Sequence, residues 1–338
     1  MRVLKWLVIV VAILIVAAIG IGFVLPDRAS LERSVVVDAP PATVYTALNG
    51  FRQFNHWSPW AALDPDAVYL HEGPPVGVGA KMSWRSDDPS VGSGSQEIVE
   101  TVPFERVRMR LEFEGFDSEN YASLSLEPEG EGTRVTWGYD TRFHGDLLGR
   151  YFGLMLDGML GPFYERGLAA LQSFVETLPV EDISNLEVDV IEVEPRPIVY
   201  LSAAAGPDDA AQVLAAAHAR LAAHLAANGL QRSAPPIAIT REYNEETGAW
   251  RFDAAMIVNR ADPPADEAQG IRSGQRYSGW VARAAHTGPY ETSAVTYRQL
   301  LAWRSAAGLE DNGDSWEQYP GDPAATEQPS MYVFWPIR

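Results

Sequence analysis

Residues 106–114 read RVRMRLEFE, and Val107, Met109, Leu111 and Phe113 alternate strictly with Arg106, Arg108, Arg110, Glu112 and Glu114. A period of two, with one apolar and one charged face, marks a strand of an antiparallel sheet that is covered on one side and wet on the other. The pattern recurs downstream. Over Tyr121–Glu127 the inward positions are Leu124 and Leu126; over Thr133–Tyr139 they are Val135, Trp137 and Tyr139, after a turn at Glu129-Gly130-Glu131-Gly132. Upstream, SVVVDAP (residues 34–40) reads as a further strand. Asp38 is placed to cap a short helix that starts at the prolines and runs through Val44, Tyr45 and Leu48. An aromatic loop, FRQFNHWSPW, fills residues 51–60.

From Asp146 to Leu178 the period changes from two to that of a helix. Leu147, Leu148, Tyr151, Phe152, Met155, Met159, Phe163, Leu168, Leu171, Phe174 and Val175 mark one long amphipathic helix, with a kink expected at Gly161-Pro162. An antiparallel sheet wrapped on one long C-terminal helix is a helix-grip arrangement, a shape that leaves room for a cavity between the two. The succession DAPPATVY, FNHWSPW, LDP, GPPVGVGAKMSW, GSGSQEIVETVP, GTRVTWGY and long helix resembles the polyketide cyclase/START-like (SRPBCC) superfamily over residues 30–178. That resemblance implies a hydrophobic cavity for lipids, polyketides or other apolar small molecules, and does not imply catalysis. Trp57, Trp60, Trp84 and Trp137 are the candidate lining residues, with Met155 as an adaptable filler; a plain core would use the same side chains. Gly77-Val78-Gly79 precedes a strand and so is no dinucleotide fingerprint, and Ser95 lacks the following glycine of a nucleophile elbow.

The amino terminus carries the longest apolar run, WLVIVVAILIVAAIGIGFVL at Trp6–Leu25, twenty residues without a charge. As a helix it is about 30 Å long, the thickness of a bilayer's hydrocarbon core. Arg2 and Lys5 flank one end, while Pro26, Asp27 and Arg28 close the other. The positive-inside bias then predicts a single-pass anchor at residues 1–29, the N-terminus cytoplasmic and the remaining chain outside, at the inner cell membrane. A cleaved secretory signal is the competing reading, but the run is long and GFVLPDRAS offers no clean cleavage site.

Composition narrows the chemistry. The 338 residues contain no cysteine, which removes disulfides, thiolate metal sites and thiol nucleophiles together. A formal charge of −19 argues against nucleic acid and against attraction to anionic lipid headgroups. His218 and His224 face different ways on one helix and no H-E-x-x-H occurs, so neither metal nor cofactor is expected.

After Pro179-Val180-Glu181-Asp182 the residues from 184 to 338 read as an internal repeat. The first copy runs strand Val188–Ser202, helix Ala210–Asn228, strands Ile237–Tyr243 and Trp250–Val258. The second runs strand Gly279–Ala285, helix Thr292–Ala307, strands Trp316–Tyr319 and Met331–Ile337. Both helices stop at Gly-Leu, Gly229-Leu230 and Gly308-Leu309, where each glycine suits a left-handed cap. This half, through His286-Thr287-Gly288-Pro289-Tyr290-Glu291, Leu300, Leu301, Trp303, Trp316-Glu317-Gln318-Tyr319, Asp322-Pro323 and the terminal Trp335-Pro336-Ile337, resembles the GyrI-like effector-binding domain. The resemblance implies a cleft between the repeats for amphipathic, often cationic compounds, with aromatic walls and a buried Glu. Tyr290, Trp303, Trp316, Glu317, Tyr319 and Tyr332 are the candidates. Tyr332 stands where the family often has a second Glu, which weighs against hydrolysis; Glu317 is the one weak catalytic candidate.

The expected fold is therefore α+β: a helix-grip body, then a duplicated strand-helix-strand-strand body, behind one transmembrane helix. The expected role is that of a membrane-anchored small-molecule carrier or sensor rather than an enzyme. The alternatives are a hydrolase or cyclase of a small hydrophobic substrate and a protein-docking envelope sensor.

Overall fold

Arg2–Val24 form helix α1, whose segment Val3–Val24 has a mean hydropathy of 3.2 and lies almost wholly exposed. Among the described residues it is the one helix long and apolar enough to cross a membrane. The protein is seen here as a computed structural model that describes residues 2–115, 118–288, 292–320 and 330–338. It divides into two units, Met1–Val180 and Glu181–Arg338.

The first unit contains β1 (Arg28–Val37), β2 (Val68–Glu72), β3 (Lys81–Arg85), β4 (Ser93–Val102), β5 (Arg106–Phe113), β6 (Glu119–Glu129) and β7 (Gly132–Arg142). They form one antiparallel sheet in the order β1-β7-β6-β5-β4-β3-β2. Four of these strands are visible as sequence patterns; β2, β3 and β4 are not. Helices α2 (Pro41–Leu48), α3 (Phe54–Trp57), α4 (Leu147–Gly153) and α5 (Leu156–Val175) complete the unit. Tyr164, Leu168, Leu171 and Val175 line one stripe of α5 and are buried in a single apolar cluster with Met82, Ile98, Val107, Leu124, Val135 and Trp137. The opposite face of β5 carries surface ion pairs, Arg106–Glu100 and Arg110–Glu97 among them.

Two local expectations are corrected. The long helix breaks at Leu154-Met155, between α4 and α5, and continues through Gly161-Pro162. Pro162 sits close enough to the start of α5 that its missing N–H strands only the carbonyl of exposed Gly158, one turn back. The cap of α2 falls on Pro40, with Pro41 opening the helix, so Asp38 stands outside it.

The second unit has β8 (Val188–Val193), β9 (Pro197–Ala205), α6 (Ala210–Ala227), β10 (Ile237–Tyr243), β11 (Trp250–Ile257), β12 (Arg272–Gln275), β13 (Gly279–Thr287), α7 (Ser293–Ala306), β14 (Trp316–Gln318) and β15 (Ser330–Pro336). The sheet order β12-β9-β11-β10-β14-β15-β13-β8 is symmetric about the β10–β14 pair. The single first strand expected over Val188–Ser202 is two strands, β8 and β9, and β12 is its counterpart in the second copy. These lead strands are exchanged: β8 pairs with β13 of the other copy, and β12 with β9. Both Gly-Leu stops adopt the same geometry. Gly229 has φ +61 and Gly308 φ +70, and the amides of Leu230 and Leu309 return to the carbonyls of Leu225 and Arg304.

Candidate functional site

In the first unit the aromatic loop and α5 converge on Trp137. Its ring stacks on Tyr164 with centroids 4.0 Å apart, and Trp57 meets it edge-on at 5.1 Å. Trp60 also meets Trp137 edge-on, at 5.8 Å, and stacks on Phe163. Gly167 permits this approach, because a Cβ there would lie 2.7 Å from the Trp137 ring and 3.0 Å from Pro59. Trp57, Trp60 and Trp137 are thus brought together. Trp84 is elsewhere, edge-on to Phe113 with its indole N–H directed at the Val91 carbonyl. Met155 joins neither group: it precedes α5 at the helix break and is largely exposed, so it fills no interior space.

The interior of this unit holds polar groups that the sequence did not single out. Asn120, buried on β6, accepts through Oδ1 from Tyr139 at 2.8 Å and from Thr141 at 2.7 Å. Burial pushes the Tyr139 phenol up to about 12, against a smaller lowering by Thr141. Burial raises Tyr164 as well. Among the described residues, two buried donors, Trp57 Nε1 and Gln96 Nε2, have no hydrogen-bond partner. Gln96 faces inward on β4, paired across the strands with Met82 and Leu111.

In the second unit the centre is Glu317, only 2% exposed. Tyr297 Oη donates to Oε1 at 2.8 Å, and Tyr319 Oη donates to Oε2. Glu317 comes from β14, Tyr297 from α7, and Tyr319 follows β14 directly. From α6, the His218 ring lies 6.4 Å from that of Tyr319, and its Nε2 is 3.0 Å from the Ile237 carbonyl. Burial lowers the pKa of His218, with the carbonyl contact opposing and Arg232 adding to the shift. A carbonyl can only accept, so Nε2 carries the proton.

Strand alternation divides the candidate residues between two faces. Trp316 stacks on Phe334 at 5.0 Å and shares its face with Tyr332, which pairs with Gln318; Glu317 points the other way, toward α7. Trp303 is half-buried on α7 and, six residues on from Tyr297, projects from a different side of that helix. Tyr290 lies outside the described residues, as do Asp322 and Pro323. Tyr297 and His218 carry no sequence signal that separates them from an edge tyrosine and a helix-face histidine. The packing of α7 on the sheet puts Tyr297 against Glu317, and α6 brings His218 to the Tyr319 ring.

A helix-grip body and a duplicated α+β body, each with polar groups set in an aromatic interior, define a two-domain class of small-molecule binder. Residues 28–176 match the family model for polyketide cyclase / dehydrase and lipid transport, and residues 186–338 match that for the GyrI-like small molecule binding domain. The chain therefore joins an SRPBCC-type domain to a GyrI-like domain, both from small-molecule binding families.

Among solved structures the chain is similar to protein CV1439 from Chromobacterium violaceum, with 22% identity and a TM-score of 0.31 over 45% of this chain and 99% of that one. It is similar to the EcmrR C-terminal domain, with 12% identity and a TM-score of 0.38 over 45% and 98%. A third similarity is to a norcoclaurine synthase of Thalictrum, with 11% identity and a TM-score of 0.36 over 44% and 94%. No curated protein matches the chain significantly.

Proposed function

We propose that the chain is a membrane-anchored carrier or sensor: its helix-grip domain takes an apolar molecule bearing an acceptor oxygen, and its GyrI-like domain takes an amphipathic compound near Glu317. The observation that carries this reading is the pair of buried, unpartnered donors Trp57 Nε1 and Gln96 Nε2. A buried donor left unbonded costs about 1–3 kcal/mol, which a ligand carbonyl or carboxyl would offset. The rest of the affinity comes from apolar contact, roughly 25 cal/mol for each Å² removed from water, so no conspicuous motif is needed. Near Glu317, an anionic acceptor among tyrosine rings suits a cation with an aromatic or aliphatic body. The positive flank at Arg2 and Lys5 favours a cytoplasmic N-terminus at the inner membrane, with both domains on the far side. Tethering keeps them close to membrane-dissolved ligands.

Native mass spectrometry of the full-length chain released from micelles tests the reading. The wild type should carry an apolar adduct that Trp57→Phe and Gln96→Leu each deplete by roughly tenfold. A clean apo mass, with no thermal shift across lipids, polyketides and amphipathic cations, would remove the carrier and sensor readings together.

A further inference from the structure

The segment that breaks the long helix carries a cluster of large exposed apolar side chains besides those of α1. Leu148, Phe152, Leu154, Met155 and Met159 are each between 49% (Met159) and 71% (Leu148) exposed. Between Leu147 and Phe163 the only charges are Arg150 and Asp157, and both are paired, with Asp27 and Arg33 respectively. Five large apolar side chains on one short stretch form an exposed patch that a wholly solvated domain would not be expected to keep.

Its position is fixed by α1. Arg150 Nη1 reaches the carbonyls of Gly22, Phe23 and Leu25, each at 3.2 Å, the last acceptors of that helix. Tyr151 Oη donates to the Ala18 carbonyl, and Leu147 and Tyr151 close over Gly22, where a Cβ would lie 3.3 Å from each. α4 thus runs beside the last turns of α1. Ala18 precedes Leu25 by seven residues, about 10 Å along the axis. That is close to the depth of roughly 5–10 Å at which an interfacial helix sits.

We propose that the Leu148-Phe152-Leu154-Met155-Met159 face is seated in the headgroup–acyl boundary of the bilayer that α1 crosses, so that the helix-grip domain is docked on lipid as well as tethered to it. The inference rests on α1 being a span. The occupant is lipid because the patch is continuous with the apolar surface of α1. Docking is by apolar insertion: the segment offers no free cation, and the chain's net charge of −19 repels anionic headgroups. Leu156 and Leu160, interleaved with the patch on α5, pack against the domain's interior cluster, so one short segment touches both lipid and interior.

The absence of cysteine makes single reporters clean. Full-length Leu148→Cys, Phe152→Cys and Met159→Cys, labelled with an environment-sensitive fluorophore, would be reconstituted in phosphatidylcholine vesicles carrying nitroxide lipids. Ile13→Cys in α1 and Val180→Cys, fully exposed, serve as controls. Docking predicts loss of most emission to shallow nitroxides at all three patch positions, to deep nitroxides at Ile13→Cys, and to neither at Val180→Cys. Quenching at the patch should be unchanged by salt and no greater with added phosphatidylglycerol. Patch reporters that stay water-like while Ile13→Cys is quenched overturn docking and leave the span standing. An unquenched Ile13→Cys shows instead that the span has failed, and the docking that rests on it is overturned with it. A blue shift at the patch without lipid quenching, but with energy transfer between copies, overturns lipid docking in favour of a dimer contact.

Discussion

Trp137 and Tyr164 stack with their ring centroids 4.0 Å apart and their planes 23° from parallel, which joins the sheet to the long helix at the centre of the helix-grip domain. The contact depends on Gly167, whose missing side chain leaves room for both Trp137 and Pro59. Gly167→Ala should therefore destabilise the domain by about 1–3 kcal/mol, because the indole and pyrrolidine rings it would meet cannot yield cheaply. Gly158 lies on the same helix, and a Cβ there would meet nothing within 4 Å. Gly158→Ala should leave stability unchanged or raise it by up to about 1 kcal/mol. Denaturant titrations followed by tryptophan emission compare the two, and equal effects would show that Gly167 matters only for helix propensity.

Glu317 and Tyr297 make the corresponding pair in the GyrI-like domain. Tyr297→Phe removes a donor to a buried carboxylate and should cost about 1–3 kcal/mol in thermal unfolding. Glu317→Gln should weaken binding of an amphipathic aromatic cation by about tenfold or more, while Tyr332→Phe, on the other face of the sheet, should not. Isothermal titration of the three variants separates these outcomes. A loss with Tyr332→Phe that matches Glu317→Gln would place the ligand on the Trp316 face.

Much of this was legible in the sequence, for identifiable reasons. The alternation of Val107, Met109, Leu111 and Phe113 reports a half-buried strand directly, because the first three join the core, Phe113 meets Trp84 edge-on, and each arginine or glutamate meets water or an ion pair. Gly229 and Gly308 announce their helix ends because left-handed backbone there excludes most other residues. The strand Ser93–Val102 is hidden by its serines and glycine; Gly94 is small because the Glu112 carbonyl oxygen and the Trp84 ring lie where its Cβ would be. The division between Trp316 and Glu317 is set by strand register. The pairing of Tyr297 with Glu317 is set by how α7 lies on the sheet, and neither local composition nor periodicity encodes that.

Tyr139 makes the helix-grip domain sensitive to alkali. Burial holds its folded pKa at about 12, above the ordinary value of 10.0. Above pH 10.0 the unfolded chain releases this proton and the folded chain keeps it, so stability is full below that point and falls as pH rises toward about 12. That difference sets a ceiling on the order of 2–3 kcal/mol. Tyr139→Phe should flatten the alkaline limb of the unfolding curve, and an unchanged slope would mean that the phenol ionises freely in the folded state.

His218 acts at the other end of the pH range. Its folded pKa lies below the ordinary 6.5 because burial disfavours the imidazolium. The unfolded chain therefore binds a proton first on acidification, and the stability contributed by neutral His218, fully present above 6.5, is lost as pH falls toward the folded value. His218→Gln, which keeps an N–H for the Ile237 carbonyl, should reduce the acid dependence of the GyrI-like domain's unfolding. Hydrogen exchange within Ile237–Tyr243, followed between neutral pH and pH 5 or so, reads this out; an unaltered profile would show that other groups carry the acid transition.

Arg150 and Asp27 hold α4 against the end of α1, and the geometry explains why lysine should not substitute. The guanidinium spans three carbonyls through one nitrogen while its Nε and Nη2 both reach Asp27 Oδ1, at 3.2 and 3.1 Å. An ammonium is a single point donor and cannot serve the carbonyls and the carboxylate together. The Gly145 amide, and then Arg150, keep the Asp27 carboxyl below its ordinary range, so the clamp is present at neutral pH and lost only as acid protonates Asp27 below that range. Arg150→Lys and Arg150→Met should both speed amide exchange across residues 143–155 in the full-length protein while leaving Tyr164–Val175 protected. If exchange at 143–155 stays slow in both variants, the packing of Leu147 and Tyr151 on Gly22 is enough to hold the segment, and the ion pair merely decorates it.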